Sequence, residues 1–144
     1  MTPKLQQVVD MFQMFEPADR TGMLLSYADQ FKEVPPSIAT RPFPKSHQVP
    51  QCESDAYVWA HRQPDGALKL YFAVENPSGV SAKALATILD KSLSGLPAAD
   101  IATVNTDIVE QIFRQNISMG KGMGLMSMVQ AVQALAKAAL QDTR

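Results

Sequence analysis

Tyr57-Val58-Trp59-Ala60-His61, then Pro64-Asp65-Gly66, then Leu68-Lys69-Leu70-Tyr71-Phe72-Ala73-Val74 is the stretch on which the fold turns. Aromatic and β-branched residues crowd both runs, and the Pro-Asp-Gly between them supplies turn chemistry, so the segment predicts an antiparallel β-hairpin. It is the clearest strand signal in the chain. Everything before and after it carries helical periodicity or loop composition. Two helices, a small sheet and then further helices make a segregated order, which argues for an α+β domain: a small antiparallel sheet with helices packed on one face. No repeat, low-complexity tract or boundary divides residues 1–144, which read as one domain.

Upstream, Leu5, Val8, Val9, Phe12 and Phe15 recur at helical spacing and predict an amphipathic helix from about residue 4 to 15. A second helix is expected after Glu16-Pro17, burying Met23, Leu24, Tyr27, Ala28 and Phe31, with Pro35-Pro36 as its stop. The two should form a helical hairpin. From Val34 to Gln51 five prolines replace helical periodicity, which reads as a long surface connection delivering the chain to Cys52. Downstream of Asn76-Pro77-Ser78-Gly79, one helical face is marked by Leu85, Ile88, Leu89 and Leu93, closed by Gly95-Leu96-Pro97. One turn over Ala98 to Ile101 follows. Asp107 with Glu110 resembles a capping box for a helix over Ile108 to Gln115. Leu125, Met128, Val129, Val132, Leu135 and Ala139 mark a long final helix.

Thirteen Lys and Arg against fourteen Asp and Glu, a net charge of -1 and no block of like charge exclude nucleic-acid binding by a basic face. No membrane association is expected, because Lys, Gln or Asp interrupts every apolar run within a dozen positions. The start, Met1-Thr2-Pro3-Lys4, runs straight into an amphipathic pattern, and a lone cysteine cannot form an intramolecular disulfide. A reducing cytoplasm fits these features.

That cysteine is the chemical signal. Val49-Pro50-Gln51-Cys52-Glu53-Ser54-Asp55 is a polar loop in which Cys52 should be exposed, and an exposed thiol is a reactive group. Glu53 and Asp55 flank it, and negative charge so close disfavours the thiolate. Nucleophilic catalysis within the chain would require Cys52 to meet a base, His47 or His61, which would make it a self-contained thiol hydrolase or peroxidase. Two histidines and one cysteine, with no CxxC or HExxH spacing, offer no metal site.

Ser118-Met119-Gly120-Lys121-Gly122-Met123-Gly124-Leu125 places three glycines and a lone cation immediately before the last helix. The spacing is not that of a phosphate-binding loop. The segment reads either as a permissive connection between helices or as a surface that meets a partner or the cysteine loop. Of the methionines, Met23 and Met128 fit core stripes, whereas Met119 and Met123 are the candidates for surface contact.

Helical hairpin, proline-rich approach, a lone loop cysteine ahead of a Val-Trp strand, then helices ending in a Gly-Leu-started amphipathic helix: the whole resembles the SufE family of sulfur acceptors, which includes the CsdE branch. Val49, Cys52, Ser54 and Val58-Trp59 correspond to the family segment V-x-G-C-x-S-x-V-W, and Gly120-Lys121-Gly122-Met123-Gly124-Leu125 resembles S-R-x-x-G-L. The chain departs from the family at four points. Gln51 stands for a glycine, two extra residues separate Cys52 from Val58-Trp59, Lys121 stands for an arginine, and Asn76 and Ser78 stand for acidic residues. The resemblance implies a domain of the type shared with iron-sulfur scaffolds, with no cofactor of its own. It also implies a pyridoxal-phosphate cysteine desulfurase of the SufS or CsdA kind as partner, a persulfide carried on Cys52, and iron-sulfur assembly as recipient. Glu53, Ser54, Asp55 and Lys121 would then support the loop or meet the partner.

Overall fold

The computed structural model describes residues 2–142. Its elements run α1 (Pro3–Gln13), α2 (Pro17–Asp29), β1 (Ala56–Arg62), β2 (Leu68–Val74), α3 (Val80–Leu93), α4 (Ala98–Ile101), α5 (Asp107–Phe113) and α6 (Met119–Gln141). Proline opens both α1 and α2, where the missing N–H costs nothing because first-turn donors have no helical partner. Between these helices the chain buries Arg20, 2% exposed, whose guanidinium donates to the carbonyls of Phe12 and Phe15 at 3.2 and 2.7 Å. Its charge thus satisfies the carbonyl end of α1, the pole that favours a cation. α2 stops at Asp29, well before Pro35-Pro36, so the prolines are not what ends it.

β1 and β2 pair antiparallel, with Ala56 opposite Val74, Val58 opposite Phe72 and Ala60 opposite Leu70 on one face, and Tyr57 opposite Ala73 and Trp59 opposite Tyr71 on the other. The first face lies on the main core. α3 crosses it with Leu85, Ile88, Leu89 and Leu93 all within 1% of full burial, and α1, α2 and α6 pack around α3. Because apolar side chains surround most of its circumference, α3 is a central helix rather than a surface one.

The second face is not bare. The proline-rich segment folds over it: Val34 N–H donates to Phe72 O at 2.8 Å, Gln48 bridges Tyr57, and Phe43 packs with Val34, Tyr57, Trp59 and Ala73 in a small separate core. What reads as a surface connection is therefore a cover. It was invisible as structure because its apolar residues, spaced among prolines, have no period.

Two further expectations change. No capping box forms at α5; Thr106 is the N-cap without a side-chain bond, and Asn105 Oδ1 accepts from Asp107 N–H at 2.8 Å, an Asx turn that outcompetes it. α6 begins at Met119, capped by Ser118 Oγ accepting from Lys121 N–H at 3.3 Å, so Gly120, Gly122 and Gly124 lie inside the helix and not before it. At 23 residues α6 is also, by length and composition, apolar enough to cross a membrane, contrary to the expectation that no stretch is. Its Leu125, Met128, Val129, Val132 and Ala136 are nonetheless at most 3% exposed within the domain core.

Candidate functional site

Cys52 sits in the turn between two backbone tethers. On one side Val49 N–H donates to Ala56 O at 2.8 Å; on the other Asn76 N–H donates to Ser54 O and Glu75 N–H to Asp55 O, both at 3.1 Å. Asp55 N–H closes the turn onto Cys52 O at 3.2 Å. The loop is thus an outgrowth of the sheet end, held by the start of β1 and the exit of β2. Cys52 is half-buried with its side chain against the main core, not exposed as its polar neighbours imply. Local sequence describes the loop's solvation but not the two helices that close over it.

Those helices arrive by their N-termini. A cavity of about 150 Å³ is lined by Cys52, Glu53 and Ser54 of the loop, by Asn76 and the first residues of α3, and by Lys121, Gly124 and Leu125 of α6. First-turn N–H groups of a helix lack helical acceptors and form the positive end of its dipole. α3 lines the cavity with such residues, while α6 borders it with Lys121, Gly124 and Leu125 of its first two turns and has Lys121 N–H already bonded to Ser118 Oγ, so the pull on negative charge there comes from one of the two helix starts. Glu53 lies at the other, since a Cβ built on Gly120 would be 3.8 Å from Glu53 Oε1.

The expected site residues are divided by the fold. Cys52, Glu53, Ser54 and Lys121 share the cavity although about 70 positions separate the loop from the lysine, and the exposed Lys121 ammonium takes no part in any ion pair among the described residues. Asp55 is absent from the lining. It stands at φ 51°, and its charge acts on Tyr57, whose hydroxyl is pushed above the usual tyrosine range by burial, by a hydrogen bond to Glu75 and by the charges of Glu75 and Asp55. Neither histidine lines the cavity. His47 is on the covered second face, its Nδ1 2.9 Å from Val58 O and its ring stacked on Trp59 at 5.2 Å. His61 is five residues beyond the start of β1, roughly 17 Å along the strand, with its ring edge-on to Tyr71. Neither of the two histidines expected as a base is therefore brought to Cys52. Among the described residues no group of three His, Cys, Asp or Glu side chains is gathered to hold a metal.

Two departures from the family pattern acquire a physical meaning. Gln51 has φ 60°, the left-handed region that glycine enters without cost, so a glycine at this position is what the turn asks for. β1 begins at Ala56, four residues after Cys52, which is where the pattern V-x-G-C-x-S-x-V-W places its Val-Trp pair. Ala56 and Tyr57 stand at that spacing, and Val58-Trp59 follow within the same strand.

Gly124 belongs to the three-glycine stretch that the sequence offered as a surface for the cysteine loop, and its contact bears out that alternative; Gly79 was not singled out. A Cβ on Gly79 would come within 3.0 Å of Ser54 Cβ and Oγ and 2.8 Å of Val74 Cγ1. One on Gly124 would come within 3.1 Å of Gln51 O and 3.2 Å of Cys52 Cα. Each helix thus approaches the loop at a residue without a side chain. For Gly124 the signal was a glycine where a helix could run, which costs about 1 kcal/mol relative to alanine in a helix interior and calls for a reason; Gly79 is the N-cap of α3, a position glycine ordinarily takes, and gave none.

A model described as "SufE: Fe-S metabolism associated domain" matches residues 6–136. The chain is 28% identical over 135 residues to SufE-like protein 1, chloroplastic/mitochondrial, of Arabidopsis thaliana, an alignment covering 92% of this chain and 34% of that protein. It thus spans about a third of the length of this curated relative. The solution structure of a hypothetical protein from Thermus thermophilus superposes with a TM-score of 0.77 at 25% identity, covering 98% of each chain. With the family model spanning nearly the whole α+β domain and the thiol loop within that span, the chain belongs to the SufE family.

Proposed function

We propose that this protein accepts sulfur from a pyridoxal-phosphate cysteine desulfurase onto Cys52 and passes it to iron-sulfur cluster assembly, stimulating the desulfurase by removing its product. The observation that carries this reading is the setting of the thiol: one cysteine at a cavity lined by its own loop, the start of α3 and the first two turns of α6, with no histidine beside it. Such a thiol, with neither histidine of the chain beside it, suits exchange with a sulfur donor brought by a partner.

The step balances without an external oxidant. The Cys52 thiolate attacks the outer sulfur of the donor's persulfide, a bond forms between Sγ and that sulfur, the donor's S–S bond breaks, and the donor leaves as a thiolate that takes up the proton Cys52 released. The product on Cys52 is a persulfide, whose anionic form is favoured by the positive end of α3 on the cavity lining. Exposed apolar residues ring this end of the molecule. Val80 on the cavity lining and Met119, Met123 and Met126 along one face of α6 are between 37 and 86% exposed, a surface suited to a protein partner. Lys121 supplies a cation there, in the place of the family's arginine but without its planar fork, so any contact it makes with the partner is looser.

Incubating the protein with a cysteine desulfurase and cysteine should add one sulfur atom to Cys52, read by intact-protein mass spectrometry. No added mass, with a desulfurase shown to be active, would reject the reading. Lys121→Ala should weaken desulfurase stimulation and Lys121→Arg preserve or improve it; superimposable stimulation curves for wild type and Lys121→Ala would remove this residue from the site.

A further inference from the structure

Gly120, Gly122 and Gly124 alternate through the first turns of α6 and look equivalent in sequence. Their surroundings separate them. A Cβ on Gly120 would meet only Glu53 Oε1 at 3.8 Å, and one on Gly122 only Ile117 Cδ1 at 3.5 Å, both ordinary contacts with the far ends of side chains. On Gly124 it would press on main chain, at 3.1 Å from Gln51 O and 3.2 Å from Cys52 Cα, which no rotamer change can move aside. The loop has little slack to retreat. Gln51 and Asp55, on either side of Cys52, both hold positive φ, and the tethers at Val49, Ser54 and Asp55 fix the ends. From the opposite side Ser54 rests against Gly79.

We infer that Gly124 is a positioning residue for the thiol: its bare stretch of helix is the surface on which the Cys52 main chain rests, and Gly79 is the counter-surface under Ser54. Together they set how deep Sγ lies in the cavity. A glycine in the second turn of a helix is unfavourable by itself, and at this position the approach of the loop offsets that cost. Attack on a persulfide runs along the S–S axis and depends on where Sγ is held, with misplacement of about 1 Å able to cost about 100-fold in rate. The consequence for sulfur transfer rests on the sulfur-acceptor reading; the consequence for thiol accessibility does not.

The test compares Gly120→Ala, Gly122→Ala and Gly124→Ala in the full chain by two measurements, the rate of Cys52 alkylation by iodoacetamide and the melting temperature. Gly120→Ala and Gly122→Ala should leave alkylation within about twofold of wild type and raise the melting temperature, since only helix propensity changes. Gly124→Ala should gain no stability and should raise the alkylation rate several-fold as the loop lifts. Gln51→Gly added to Gly124→Ala frees the φ at residue 51 and should bring alkylation back toward the wild-type rate, a rescue that general destabilisation would not produce. Gly79→Ala, pressing on Ser54 from the other helix, should also shift the rate. Equal alkylation rates for all three α6 variants overturn the inference, as does an unfolded Gly124→Ala alongside a Gly79→Ala that alkylates like wild type. Because no desulfurase takes part, these outcomes stay informative if sulfur acceptance fails.

Discussion

The two faces of the β1–β2 hairpin are buried by different means. The inner face, with Val58, Leu68, Leu70 and Phe72, is covered by α3 and by the C-terminal helix α6, with α1 and α2 packed in turn on α3, so its burial depends on the whole fold. The outer face, with Tyr57, Trp59 and Ala73, is covered by the segment that immediately precedes β1, through Val34 and Phe43. The difference teaches where chemistry is placed. Cys52 belongs to the inner side, at the end of the sheet where helices converge, whereas His47 is locked into the outer cover by Trp59 and Val58. Two residue types that together would make a catalytic pair are kept on opposite sides of one sheet.

The sharpest break of this comparison would come from function. Cys52→Ser should abolish sulfur acceptance by mass spectrometry while costing roughly 1 kcal/mol of stability, because the thiol is half-buried rather than free. His47→Ala should keep acceptance within about twofold and lose stability instead. Loss of acceptance in both variants would mean that the histidine reaches the thiol. Next in size is the packing contrast, measured by urea denaturation. Leu70→Ala on the inner face should cost about 3–4 kcal/mol, whereas Phe43→Ala in the thin outer cover should cost about 2, since a surface layer relaxes into the space left. Equal costs would show the cover to be as rigid as the core.

A smaller effect is expected with pH. Tyr57 on the outer face titrates above its ordinary value of 10.0, chiefly through burial, so the folded state holds the proton more tightly than the unfolded chain. Its contribution is therefore fully present below about pH 10 and is lost as the pH rises through the folded-state value. Replacing Tyr57 by Phe should flatten part of the decline in melting temperature above pH 10 and leave the profile below pH 9 unchanged; an identical alkaline decline would place the titrating group elsewhere. The smallest expected effect is that of Gln51→Gly alone. Relief of the left-handed strain, about 1 kcal/mol, is partly offset by the backbone entropy of glycine, leaving a net gain of about 0.5 kcal/mol or less in urea.

Much of this architecture was legible in the chain because it is written in short-range patterns. Alternating aromatic and β-branched residues around Pro64-Asp65-Gly66 specify the hairpin, and the 3.6-residue spacing of Leu85, Ile88, Leu89 and Leu93 specifies α3, whatever lies around them. The identity of the reactive group was legible for the same reason, since Cys52 is the only thiol. The outer cover was not, because Val34 and Phe43 are spaced without a period and gain their meaning only from the sheet face they meet.

By itself, then, the sequence determined the α+β class, the order of the elements and the presence of one chemically distinctive side chain in a polar turn. Tertiary structure alone decided that this side chain is half-buried, that Lys121 shares its cavity and His47 and His61 do not, and that of three alternating glycines only Gly124 bears on its main chain. The physical reason is range. Propensity and periodicity act over a few residues, whereas burial, shared cavities and the approach of one backbone to another depend on contacts between segments about 25 to 70 positions apart, which local patterns do not encode.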